Sequence, residues 1–160
     1  MNRPARLHRT LRVLFALLGA SQAVRAGDDQ RGPDLALLPK YKQECAACHV
    51  AFPPGMLPAD SWRRLLNNLP NHYGTDASQD AATLNQLAAW LSANAGTYKR
   101  VREAPPEDRI TKSAWFVRKH DEVPAGVWKR PAVKSASNCT ACHTQADQGN
   151  FDERTVRIPR

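Results

Sequence analysis

Cys45-Ala-Ala-Cys48-His49 and Cys139-Thr-Ala-Cys142-His143 are two copies of one pattern, and together they hold all four cysteines of the 160-residue chain. The spacing carries the chemistry. On a helical turn, positions i, i+3 and i+4 lie on one face, so two thiols and an imidazole project toward the same neighbour. A chain that repeats this arrangement and keeps no cysteine outside it is built around two such neighbours.

Cys-x-x-Cys-His is the attachment signature of c-type haem. The thiols reach the two vinyl groups on one porphyrin edge, and the histidine turns toward the iron. Other readings of paired cysteines fit less well. A thioredoxin-like redox pair needs a βαβ setting, and no alternating strand-like run flanks either motif. A tetracysteine zinc site would leave each pair followed by a histidine, six potential ligands where zinc takes four. The chain is therefore expected to carry two covalently attached haem c groups, held by Cys45, Cys48, Cys139 and Cys142, with His49 and His143 as proximal iron ligands.

The remaining histidines suggest what faces each iron from the other side. The chain has five. His8 lies in the amino-terminal segment, and His72 and His120 remain. His72 follows the break at Pro70 and precedes Tyr73-Gly74, where a side chain can be aimed inward. His120 ends Ala114-Trp-Phe-Val-Arg-Lys-His120, with Phe116 at i−4 on the same helical face. Two spare histidines for two irons give bis-histidine coordination at both; Met56, in Phe52-Pro-Pro-Gly-Met56, is the competing ligand for one of them. His49 to His72 and His120 to His143 are equally spaced, and a local scheme pairs each distal ligand with the nearer motif. A crossed pairing fits the same count.

Residues 1–26 read as a cleaved secretory signal. Arg3, Arg6, Arg9 and Arg12 precede the apolar run Val13–Ala20, and Val24-Arg25-Ala26 has the small-x-small form of a cleavage site. An uncleaved anchor is the rival, but eight apolar residues span about 12 Å as helix, against about 30 Å of bilayer core. This segment holds five of the 23 basic residues and none of the 15 acids, so the remainder carries 18 and 15, net +3 rather than +8. Such a balance gives no support to nucleic-acid binding, which shows a concentrated basic patch. Pairs such as Arg63-Arg64 and Lys99-Arg100 read as solvated helix faces.

The rest predicts a helical wrapper, mostly α with little or no sheet. A short helix between Asp34 and Val50 presents the first motif, and prolines 53, 54 and 58 force a loop. A helix capped at Asp60 or Ser61 buries Trp62, Leu65, Leu66 and Leu69. A longer one starts near Ser78, carries Leu84, Leu87, Ala88 and Leu91 on one stripe, and ends at Gly96 as its cap. Glu103–Asp108 is a linker between a first half at about 34–102 and a second at about 108–160, within a mature domain of 27–160. Thr111 caps the helix ending at His120, Pro124 stops it, and Asn138 precedes a second motif helix. The tail from Gly149 is too short and charged to form a core of its own.

The stretches Leu57-Pro-Ala-Asp-Ser-Trp62, His72-Tyr-Gly-Thr-Asp-Ala-Ser78, Ile110–His120 and Ser137-Asn-Cys-Thr-Ala-Cys-His143, with the first motif, resemble the bacterial dihaem cytochrome c family. The resemblance covers most of the mature chain. It implies a small helical c-type cytochrome in the periplasm, an electron carrier and no enzyme, with His72 and His120 at the family's distal positions. Its implied partners are redox proteins, a membrane cytochrome b donor and a small high-spin cytochrome c acceptor, docked transiently by charge. Arg118-Lys119 and Lys129-Arg130 are candidates for such docking. The alternative is a small dihaem enzyme or gas sensor with one five-coordinate haem.

Overall fold

Pro39, with its preset φ and no N–H to leave unpaired, opens the first helix of the described residues, α1 (Pro39–Cys45), at the position where proline is tolerated best. The structure, a computed structural model, describes residues 38–160; the signal segment 1–26 and residues 34–37 of the stretch expected to include the first helix lie outside the described residues. α1 buries Tyr41, whose hydroxyl donates to the Phe52 carbonyl at 2.8 Å. The helix ends at Cys45, so the first motif straddles its end, with Cys48 and His49 on the turn beyond.

α2 (Ala59–Asn67) begins one residue before the expected cap. Pro58 occupies the cap position and no side chain caps the helix; Asp60 lies in the first turn, where the helix dipole favours an acid, and pairs with Arg63 at 2.8 Å. Trp62 and Leu66 are buried and Leu65 is half-buried, while Leu69 lies past the helix in the turn Leu69–Asn71. The Trp62 indole donates to the Pro54 carbonyl at 2.7 Å and pins the proline-rich loop to the helix.

α3 (Ala81–Ala93) starts three residues later than Ser78, because Asp80 is the side chain that reaches the first N–H groups, those of Ala82 and Thr83. It ends at Ala93 with Asn94 as cap, so Gly96 is not the helix cap. Gly96 is needed for another reason. A Cβ there would lie 2.3 Å from Val101 Cγ2 and 2.4 Å from the Gly55 carbonyl oxygen, and only a glycine lets these two loops meet. Its N–H donates to the Leu57 carbonyl at 2.8 Å.

α1 and α2 both pack on α3. Tyr41, Ala51, Leu57, Trp62, Leu66, Leu87 and Leu91 form the core between them, with Tyr41 edge-on to Trp62 and tilted against Trp90. Each buried leucine stabilises the fold by about 1.5–3 kcal/mol relative to exposure.

The linker is a short 3-10 turn, Pro106–Asp108, tied back to α2. Beyond it, α4 (Ala114–Lys119) is capped by Ser113, whose hydroxyl accepts from the Phe116 N–H; Thr111 lies in the preceding turn and does not cap it. Pro124, expected to stop the chain's helical run, is the cap residue of α5 (Ala125–Trp128). The second motif is a single 3-10 turn, Cys139–Ala141, rather than a helix. The charged tail folds back onto it: the Arg157 N–H donates to the Cys142 carbonyl at 2.8 Å, and Val156 bridges to His143. The described residues contain helices, turns and two isolated bridges, without a strand. None of their helices is long and apolar enough to cross a membrane.

Candidate functional site

The motif that straddles the end of α1 exposes Cys48 and His49 and leaves Cys45 half-buried. His49 is oriented locally: its Nδ1–H donates to the Val50 carbonyl at 2.7 Å, and its ring stacks on Phe52 at 5.0 Å and 25°. That hydrogen bond favours the tautomer that leaves Nε2 free for a metal. Across from it stands His72, ring centres 6.1 Å apart and planes 27° from each other. Met56 lies in the turn Pro54–Met56; the imidazole that faces His49 is that of His72.

His72 reaches this position on a two-residue turn. Its N–H donates to the Thr75 carbonyl at 2.8 Å and its carbonyl accepts from the Thr75 N–H at 3.1 Å, around Tyr73 and Gly74 at φ 53° and 95°. Two successive positive φ values make this the tight hairpin turn that favours glycine.

The second pair has the same separation on different scaffolding. His120 is the residue that ends α4, and its Nδ1–H donates to the Phe116 carbonyl at 2.9 Å while its ring stacks on Phe116 at 4.0 Å and 21°. Its ring centre lies 6.1 Å from that of His143, with planes 68° apart. Phe151 from the folded-back tail tilts against His143 at 5.5 Å.

These distances test the fit of a bound iron. A metal–imidazole bond of about 2.0–2.1 Å on each side puts the two ring centres about 6–6.5 Å apart, the separation found in both pairs. Among the described residues no three His, Cys, Asp or Glu side chains converge on a metal position. Two facing imidazoles suit an ion that brings its remaining ligands with it, as a porphyrin does. His143 Nδ1 is buried and has no partner among the described residues.

The electrostatics agree. His72 is held below the usual imidazole range chiefly by desolvation, then by His49 and Arg109; His143 is lowered by desolvation and then by His120, with Glu153 opposing. Both shifts favour the neutral, ligating form. The Cys45 and Cys139 thiols are each pushed up to about 11 by burial. A catalytic dithiol is shifted the other way.

The two motifs also meet. Cys48 and His49 line one side of a cavity of about 320 Å³, and Ser137, Asn138, Cys139 and Thr140 line the other. A second cavity of about 570 Å³ lies beside His72 and Tyr73, bounded by Arg64, Glu107 and Asp108. Arg64 is exposed, as expected of a solvated helix face, but it is also paired: its Nε and Nη2 donate to the two Asp108 oxygens at 2.8 and 2.6 Å. Sequence reasoning passed over this pair because nothing local relates residues 44 apart. It passed over Phe52 and Phe151 too, although Phe52, three residues past His49, was a usable signal.

The family model for dihaem cytochrome c matches residues 41–151. No curated protein matches significantly. Two solved dihaem c-type cytochromes are similar to the chain. That of Shewanella baltica OS155 is 40% identical, with a TM-score of 0.66, over 79% of this chain and 94% of its own. That of Rhodobacter sphaeroides is 42% identical, with a TM-score of 0.63, over 73% of this chain and 99% of its own; a second structure from the same organism gives 42% and 0.65.

Proposed function

This chain belongs to the dihaem cytochrome c family, and from that premise we propose that it is a periplasmic electron carrier whose two haem irons are each closed on both faces by histidine. The family carries two covalently bound haem c groups and works by electron transfer. The finer assignments are ours: Cys45, Cys48 and His49 with His72 for the first haem, and Cys139, Cys142 and His143 with His120 for the second. The observation that carries them is the pair of 6.1 Å imidazole separations, one in each half of the chain.

The haem iron, when bound, supplies a one-electron ferric/ferrous couple. The chain's own residues determine the use of that couple. Imidazoles on both faces bar peroxide, oxygen or nitrite from the metal, which argues for electron transfer without substrate chemistry. Nitrogen on both sides, with no methionine sulfur, keeps the potential low. Cys48 and Cys139 border one cavity, which brings the two attachment edges together and supports exchange of electrons within one molecule.

The two halves, about 34–102 and 108–160, hold one haem each in this reading, and residues 1–26 direct export. Partners are a membrane cytochrome b as donor and a small high-spin cytochrome c as acceptor, met through a transient, salt-sensitive surface. The test is optical. Ferric and reduced holo-protein are expected to be low-spin at both haems and slow to bind cyanide or carbon monoxide. His72→Ala and His120→Ala should each convert one haem to high spin. Prompt ligand binding by the unaltered protein at one haem would replace the carrier reading with an enzyme or a gas sensor.

A further inference from the structure

The four imidazoles are not held equally. His49 and His143 each follow a cysteine that is covalently tied to the group they face. His120 is held by the end of α4, by its Nδ1–H bond to Phe116 and by the ring beneath it. His72 lacks the α-helix, the ring hydrogen bond and the supporting phenyl ring. It caps only the three-residue 3-10 turn Leu69–Asn71, with its N–H 3.3 Å from the Leu69 carbonyl, no described residue hydrogen-bonds to its ring, and its ring neighbours are His49 and Tyr73.

What holds His72 is its turn, and that turn is strained. Tyr73 adopts φ 53°, a conformation that a bulky residue keeps only when its surroundings impose it. Those surroundings come from the linker. The Tyr73 hydroxyl donates to the Glu107 carbonyl at 2.9 Å, and the Arg109 guanidinium lies 3.8 Å above the Tyr73 ring. Glu107 and Asp108 are themselves at φ 57° and 54°. Of the four non-glycine residues with positive φ among the described ones, three meet at this one contact. The Arg64–Asp108 bidentate pair fastens the linker to α2, immediately before the His72 turn.

Resting on the reading of His72 as an iron ligand, we propose that Arg64, Tyr73 and Asp108 form a latch that positions His72. When the latch is broken, the first haem is the one whose distal ligand yields, opening that iron to a small neutral ligand while His120 stays in place. None of the three touches the iron; they act through the turn.

Carbon monoxide binding to the reduced full-length holo-protein tests this, because it is counted per molecule and read in the Soret band. Asp108→Asn and Tyr73→Phe are each expected to raise the uptake rate at least tenfold over the unaltered protein, saturating at one equivalent. Adding His72→Ala to Asp108→Asn should leave one equivalent, whereas adding His120→Ala should give two. The charge-reversed pair Arg64→Asp with Asp108→Arg should bring the rate back toward that of the parent. Unchanged uptake in Asp108→Asn and Tyr73→Phe, with His72→Ala binding one equivalent, overturns the latch and leaves the ligand reading standing. One equivalent in Asp108→Asn with His120→Ala does the same. If His72→Ala stays low-spin and binds nothing, the ligand reading itself falls, and the latch with it. Should Asp108→Asn fail to accumulate as holo-protein, Tyr73→Phe, which removes one hydroxyl from a side chain 41% exposed, decides the question alone.

Discussion

Gly96→Ala is expected to destabilise the holo-protein although it adds one methyl group and touches no haem residue. The new carbon would stand 2.3 Å from Val101 Cγ2 and 2.4 Å from the Gly55 carbonyl oxygen. Neither can yield cheaply. Val101 is 2% exposed, and the Gly55 oxygen is backbone that already accepts the Tyr98 hydroxyl at 2.8 Å. Relief means parting the two loops, an overpacking cost of about 1–3 kcal/mol. It also strains the Gly96–Leu57 and Tyr98–Gly55 hydrogen bonds, each worth about 0.5–1.5 kcal/mol net. Alanine recovers only about 0.4–1 kcal/mol by restricting the unfolded chain. The net loss is about 2 kcal/mol, which lowers Tm by roughly 6–10 °C for a domain of this size. Far-UV circular dichroism of the oxidised protein in guanidinium chloride measures it as a lower midpoint at unchanged slope. Gly126→Ala is the control, since nothing lies within 4 Å of a Cβ there and the residue sits in α5. It should gain up to about 1 kcal/mol. If Gly96→Ala behaves like Gly126→Ala, the close approach of the two loops is wrong.

Further outcomes follow from the site. Ring planes at 27° in the first pair and 68° in the second should give the oxidised protein two distinct low-spin electron paramagnetic resonance signals. Near-parallel imidazoles split the iron dxz and dyz orbitals into a rhombic spectrum, and crossed ones leave them close in energy with one dominant g value; two identical signals would contradict the geometry. Ser113→Ala removes the cap of α4 and should cost about 1 kcal/mol in thermal unfolding, with a new high-spin fraction at the haem of His143, because His120 ends that helix. The Arg64 hydrogen bonds hold Asp108 below the usual carboxylate range. The folded protein therefore binds that proton more weakly than the unfolded chain. The stabilisation is whole above about pH 4, near the unfolded carboxylate pKa, and is lost as pH falls through the depressed value. Asp108→Asn should flatten the acid limb of a Tm-against-pH curve below pH 4, and an unchanged limb would count against the pair.

How much of this was legible beforehand depends on how far each determinant reaches along the chain. The two Cys-x-x-Cys-His copies announced the cofactor, its number and its covalent attachment, because thiol, thiol and imidazole fall within five consecutive residues. The apolar stripes announced a helical wrapper, and Leu87 and Leu91 are buried as their spacing required. Helix ends were less legible. Asp80 rather than Ser78 and Ser113 rather than Thr111 supply the caps, since a cap is decided by which side chain reaches an N–H, and several neighbours of suitable type compete within one turn.

Other features are invisible in the string of residues. Tyr73 is an unpromising residue for a left-handed turn, and it holds that shape through a hydroxyl bonded to a carbonyl 34 residues away. Gly96 looked like a helix cap and is instead the point where two loops touch. The facing of His72 on His49, the Arg64–Asp108 clasp and the meeting of the two motifs around one cavity all join segments distant along the chain. Local propensity cannot favour such contacts, because the entropy of closing the intervening loops is recovered only when the whole core has formed.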